Sequence, residues 1–247
     1  MQRESGERRR FIKKSAMGAC GLALGVVTVR DLVSAGAGSP KPGMGFFQDA
    51  PEELWQWARE AAWYDSQKGM VRCRLCPHEC VLAEGDRGFC RTRAVVDEKL
   101  HTLVYGNPCS VHVDPVEKKP LFHFLPGSPI LSIATAGCNL RCLNCQNWEI
   151  SQSKPEETQN GDLPPATLVQ YSHDEGIPSL AYTYSEPVIF YEYVRDTAAL
   201  ARESGIRNVL VTAGYILEPP LRELCRVVDA ANVDLKGFDD EFYREVT

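Results

Sequence analysis

Cys138, Cys142 and Cys145 fall within eight residues, directly after the apolar stretch Ile130–Gly137. A strand that ends in a short loop with three thiols constrains the fold more than any other segment of the chain. Soft sulfur ligands select iron-sulfur clusters, zinc or cuprous ions. A four-iron cluster takes four thiolates, so a local set of three leaves one iron open for a ligand that is not protein. The alternative is a zinc site or a structural cluster completed by a distant cysteine such as Cys109 or Cys225.

The surroundings of the loop set its context. From Ser128 onward, short apolar or alternating runs at Ile130–Thr135, Ser179–Tyr184, Asn208–Thr212 and Asn232–Leu235 read as strands. Helical stretches at about Ala166–Glu175, Val188–Glu203 and Pro220–Asp229 alternate with them. Strands that alternate with helices imply an α/β fold with parallel strands and right-handed crossovers. In such folds chemistry collects at the carboxyl ends of the strands, which is where the cysteine loop lies. The pattern predicts an α/β core over residues 128–247. Phe238–Val246 begins a fourth crossover just before the chain stops, so a core truncated after about four strands is expected.

Residues 51–127 read as a small Cys-rich accessory domain. A packing helix from Pro51 to about Tyr64 is expected from Leu54, Trp57, Ala61 and Ala62 at helical spacing, with Pro and acids in its first turn. Cys73, Cys76, Cys80 and Cys90 follow, and then alternating segments around Thr92–Val96 and Leu100–Tyr105 suggest a hairpin. Four thiolates close a site completely, so this group reads as a second metal centre, either structural zinc or an auxiliary iron-sulfur cluster. His78 is a possible substitute ligand, while Cys109 and Cys225 are isolated and suit small buried positions.

The first 37 residues carry seven Arg or Lys and three acids, a net +4, so with −6 overall the remainder carries −10. A body this acidic argues against non-specific nucleic-acid binding, which needs basic surface. Arg8-Arg9-Arg10-Phe11-Ile12-Lys13 is similar to a twin-arginine export signal, and an apolar run Ser15–Val29 and an Ala-x-Ala site at residues 35–37 follow in order. Export to the periplasm or outer face is expected, with a cytoplasmic location as the alternative. The apolar run is too short to span a bilayer stably, so no span is expected once the signal is removed. Residues 38–50 have the composition of a linker. Seven of the ten cysteines fall in the two tight groups, which favours metal binding over disulfides.

Two further segments sit at strand ends. Ser185-Glu186-Pro187 suits a helix start, with Ser185 as cap and Glu186 and Pro187 in the first turn. Asp234 and Lys236 share one face of a strand by the period of two, as a salt bridge would require.

Taken in order, Cys73-x-Leu75-Cys76-Pro77-His78, Asp114 to Pro120 with Phe122-His123-Phe124, Gly137 to Trp148, Tyr182 to Pro187 and Asp234 to Gly237 resemble one family. It is the radical S-adenosylmethionine enzyme of the AmmeMemoRadiSam system, related to pyruvate formate-lyase activating enzymes. The resemblance implies a partial (βα) barrel of the radical SAM type over residues 128–247, carrying a four-iron four-sulfur cluster on Cys138, Cys142 and Cys145 whose open iron binds S-adenosylmethionine. It places Ser185, Glu186, Asp234 and Lys236 at that cofactor and likens Thr212-Ala213-Gly214 to the family's Thr-Asn-Gly. The implied reaction is reductive cleavage of S-adenosylmethionine to a 5′-deoxyadenosyl radical that abstracts hydrogen from an unknown substrate. It also implies a reductant or electron-donor protein as partner, and no catalytic side chain is assigned. The rivals are a glycyl-radical enzyme activase acting on a protein and a non-catalytic iron-sulfur or zinc protein.

Overall fold

The computed structural model describes residues 56–247. The export signal, the linker and the first residues of the expected helix lie outside them. Strands β7 (Ser110–Pro115), β8 (Pro129–Ala134), β9 (Ser179–Tyr182), β10 (Arg207–Thr212) and β11 (Ala230–Val233) form one sheet in the order 11-10-9-8-7. The last four are parallel, and β7 runs antiparallel to β8 along the edge. Helices α2 (Pro165–Asp174), α3 (Tyr191–Glu203) and α4 (Glu218–Leu224) make the crossovers, with the short α1 (Trp148–Ser151) and α5 (Asp240–Glu245) at either end of this run. Every residue of β9 is buried and β8 is buried from Ile130 on, as a parallel sheet covered on both faces requires.

The helices obey the same logic. Tyr191, Val194, Ala198 and Ala201 of α3 recur at spacings of three and four and are all buried, so the helix lays one apolar stripe on the sheet. Pro165 opens α2, where its missing N–H costs nothing. Strand β11 is the exception: it alternates between half-buried and exposed residues, because it has a neighbour on one side only.

The segment before β7 is built from two small antiparallel sheets, β2-β3-β4 (Tyr64–Gln67, Met70–Cys73, Val81–Leu82) and β1-β6-β5 (Arg59–Glu60, Lys99–Thr102, Arg93–Val96). The hairpin expected around residues 92–105 is the pair β5 and β6. Among the described residues the helix expected up to Tyr64 is replaced by strands: β1 pairs with β6, and β2 begins at Tyr64. Ala58 packs with Ala94, Val96 and Leu103, and the Ala61 N–H donates to the Leu100 carbonyl, so the backbone is spent on cross-strand bonds. The helical spacing of apolar residues was real, but the hairpin beside it offered open strand edges and an apolar face that a helix here would not cover. Strand β7 comes from the stretch assigned to the accessory domain and is nonetheless a full member of the large sheet.

The candidate cofactor site at the strand ends

Gly137, at φ 92°, turns the chain out of β8 into the cysteine loop. A Cβ there would lie 2.4 Å from the Thr92 methyl and 2.5 Å from the Cys90 carbonyl oxygen, so only glycine fits. Its N–H donates to the Ile150 carbonyl, and the N–H groups of Arg141 and Leu143 donate to the carbonyls of Thr247 and Val246. The loop is thus pinned at both flanks. Leu140 N–H donates to the Cys138 sulfur at 3.3 Å, and the Cys145 sulfur lies 3.3 Å from the Ser151 hydroxyl.

Cys138, Cys142 and Cys145 border one cavity of about 570 Å³ at the carboxyl ends of β8 to β11. Neither Cys109 nor Cys225 borders it: the Cys109 thiol sits against the Ala134 carbonyl, and Cys225 is exposed at the end of α4. Burial pushes the Cys138 thiol up to about 12, with the nearby Glu186 acting in the same direction. Burial also raises Cys142, against the pull of Lys236. Three soft donors around a roomy cavity, with no fourth cysteine among the described residues lining it, fit a four-iron cluster with one open iron.

The facing wall is built on Glu186. Its carboxylate is 3% exposed and accepts from the Thr212 hydroxyl, from Ala213 N–H at 2.8 Å and from Val188 N–H at 3.2 Å. Burial raises its pKa and these three donors pull it back. Thr212 and the Ala213 backbone therefore hold the carboxylate in place, and the alanine side chain has no polar role. Ser185 also lines the cavity, but its hydroxyl is committed to the Thr135 carbonyl at 2.7 Å, tying β9 to β8.

Asp234 and Lys236 lie just beyond β11, which ends two residues earlier than its sequence suggests. Strand β10 stops at Thr212, opposite Val233, so nothing remains to pair with. The two side chains still meet, at 2.9 Å, and both border the cavity. Asp234 N–H donates to the Thr212 carbonyl, which ties this end to the Glu186 wall.

The cavity's remaining side holds a network with no counterpart in the spacing argument. Asp114 on β7 pairs with Lys118 and Lys119, each at 2.7 Å, and accepts from the Tyr184 hydroxyl. Lys119 is 1% exposed and its ammonium sits 4.3 Å above the Tyr184 ring, a cation-π contact. Tyr184 holds a left-handed φ of 62° although it is not glycine, a cost of about 1–2 kcal/mol offset by these contacts and by the Asn147 amide on its carbonyl. The only sequence signal for this network was the run Asp114 to Pro120.

Comparison with known proteins agrees with the geometry. Residues 132–247 match the family model described as Radical SAM superfamily, a stretch that holds the end of β8, the cysteine loop and strands β9 to β11. An uncharacterized protein of Methanocaldococcus jannaschii is 46% identical over 189 residues, covering 76% of this chain and 56% of that one. The pyruvate formate-lyase 1-activating enzyme of Escherichia coli is 32% identical over 117 residues, 44% of this chain and 46% of the enzyme. GTP 3',8-cyclase of Thermodesulfovibrio yellowstonii is 29% identical over 121 residues, 44% of this chain and 35% of the cyclase. The chain is thus homologous to pyruvate formate-lyase activating enzymes and spans about half the length of the curated relatives it matches.

Proposed function

We propose that the protein is a radical S-adenosylmethionine enzyme whose cluster is held by Cys138, Cys142 and Cys145. The observation that carries this is the meeting, around one cavity, of three cysteines with the Glu186 wall and the Asp234–Lys236 pair. Bound there, a four-iron cluster and S-adenosylmethionine supply a reductively formed 5′-deoxyadenosyl radical for hydrogen abstraction. The chain's own residues do the positioning. Thr212, Ala213 N–H and Val188 N–H fix Glu186 so that its carboxylate faces a cofactor ammonium group without rotating. Asp234 and Lys236 offer one charge of each sign, suited to ribose hydroxyls and a carboxylate. The half-buried Tyr184, with Lys119 and Asp114 behind it, borders the cavity toward β7.

The substrate is proposed to be a protein, on the strength of the activating-enzyme relatives, with a low-potential electron-donor protein as reductant. The ordered motifs from Cys73 to Gly237 support membership of the AmmeMemoRadiSam system, and the pattern at Arg8 to Lys13 supports twin-arginine export of the cofactor-loaded chain. Anaerobic reconstitution with iron, sulfide, S-adenosylmethionine and dithionite is expected to yield 5′-deoxyadenosine by mass spectrometry. An intact reconstituted cluster that yields none would make the chain an electron carrier instead.

A further inference from the structure

The third thiol of the Cys138 loop ends a line of hydrogen bonds that begins on a charged side chain. Helix α1 follows Cys145 directly and folds its last residue, Ser151, back over the loop. The Ser151 hydroxyl lies 3.3 Å from the Cys145 sulfur, on a residue that is 2% exposed and lines the cofactor cavity. Gln152 comes next. Its amide nitrogen donates at 3.2 Å both to the Ser151 hydroxyl and to the Leu140 carbonyl, and its amide oxygen accepts from Arg91 Nη2 at 3.2 Å. Arg91, Gln152, Ser151 and Cys145 thus form one connected line.

Chemistry fixes the direction of that line. A guanidinium can only donate, so the oxygen of the Gln152 amide faces Arg91 and its nitrogen faces the other way. The Ser151 oxygen receives this N–H, which leaves its own O–H for the sulfur. As an iron ligand Cys145 is a thiolate, which accepts and has no proton to give. Every bond therefore points toward the sulfur, and hydrogen bonds aligned in this way polarise one another.

Arg91 holds the head of the line under unfavourable local conditions. Its backbone takes a left-handed φ of 69°, and its Nη1 is buried without a hydrogen-bond partner among the described residues. Both features cost free energy. Burial and the neighbouring Arg141 work against its charge, while the Cys138 and Cys90 sulfurs favour it. Negative charge on the Cys138 loop is what such an arrangement suits.

We propose that Arg91, Gln152 and Ser151 are positioning residues that raise the reduction potential of the cluster assigned to Cys138, Cys142 and Cys145, an inference that rests on that assignment. One electron taken from the donor protein adds a negative charge that is shared with the thiolate sulfurs. A donor aimed at a ligand sulfur stabilises the reduced form more than the oxidised one, and hydrogen bonds to sulfur are among the features that set such potentials. The Cys138 sulfur accepts from the Leu140 backbone N–H, which a change of side chain leaves in place. The Cys145 line is made of side chains and can be cut one link at a time.

The test is a redox titration of the whole chain, reconstituted anaerobically with iron and sulfide and reduced with dithionite in the absence of S-adenosylmethionine. It follows by electron paramagnetic resonance the signal that a Cys142→Ala variant lacks. Ser151→Ala should lower the midpoint by about 59 mV, a roughly tenfold shift of the one-electron equilibrium toward the oxidised form, with iron content unchanged. Arg91→Gln should lower it by less, and Arg91→Lys, which keeps the charge, should restore most of the wild-type value. A midpoint that is unmoved or raised in Ser151→Ala, or in Arg91→Gln, would overturn the proposal. Should Ser151→Ala hold no iron, the two Arg91 variants decide: a midpoint lowered in Arg91→Gln and restored in Arg91→Lys supports the line, and equal midpoints overturn it. Failure of the proposed function leaves a different trace, a wild type with no Cys142-dependent signal, which would end both readings.

Discussion

The two cysteine groups share one ligand chemistry and differ in almost everything around it. The Cys138 loop contributes three thiols to a cavity of about 570 Å³ bordered by charged and hydroxylated side chains. The Cys73 to Cys90 pocket contributes four thiols to a void of about 20 Å³, closed by aliphatic and aromatic groups and backed by a buried arginine. Access and ligand number, rather than ligand type, separate a centre that can bind a reactant from one that cannot. The large cavity also has polar walls fixed in advance, with Glu186 held by three donors and Lys119 by Asp114. The small pocket's polar side chains, besides its thiols, are His78, Arg93 and Asn139.

The sharpest way to break this contrast is Cys142→Ala. It is expected to reduce 5′-deoxyadenosine formation to the uncatalysed background in a reductive turnover assay, and undiminished formation would end the assignment of the open centre. Next is the glycine where the two regions touch. Gly137→Ala combines a left-handed alanine with a Cβ driven against the Cys90 carbonyl, so a loss of about 2–6 kcal/mol is expected by urea denaturation. A variant as stable as wild type would show that the two regions do not pack as described.

Asp114→Asn tests the cavity's β7 wall. It leaves Lys119 buried without its counter-charge, at a cost of about 3–5 kcal/mol. Burial raises the Asp114 carboxyl, but the hydrogen bonds from Lys118, Lys119 and Tyr184 outweigh it and hold the group below the usual carboxylate range. A depressed carboxyl stabilises the fold above its unfolded value of about 3.9, and that stability is lost as pH falls toward the folded value. The gap between wild type and Asp114→Asn should therefore be constant near neutrality and shrink in acid below about pH 4. A gap that widens in acid would refute the ion-pair account. The smallest effect is expected from Asp234→Ala, whose iron content should match wild type while S-adenosylmethionine binds about tenfold more weakly by calorimetry. Loss of iron with it would make Asp234 structural.

Both cysteine groups were visible in the sequence because their members lie close along the chain. The strands at 129–134, 179–182 and 207–212 were legible for a similar reason: a parallel strand buried on both faces is a continuous apolar run. The stretch 56–64 misled because an apolar period near 3.6 is only a preference, and Ala58 and Ala61 found their partners across a hairpin. The end of β11 could not be read either, since it is set by where β10 stops.

What the chain determined alone was local: three thiols after one strand, four thiols near a hairpin, an acid before Pro187, and opposite charges two residues apart. What the tertiary structure decided were contacts between residues far apart in sequence. It brought Thr212 and Ala213 N–H onto Glu186, Tyr184 onto Asp114, Arg93 onto Glu192, and Cys90 against Gly137. None of these leaves a periodic trace, because a hydrogen bond or close contact depends on position in space and the intervening chain can be of any length.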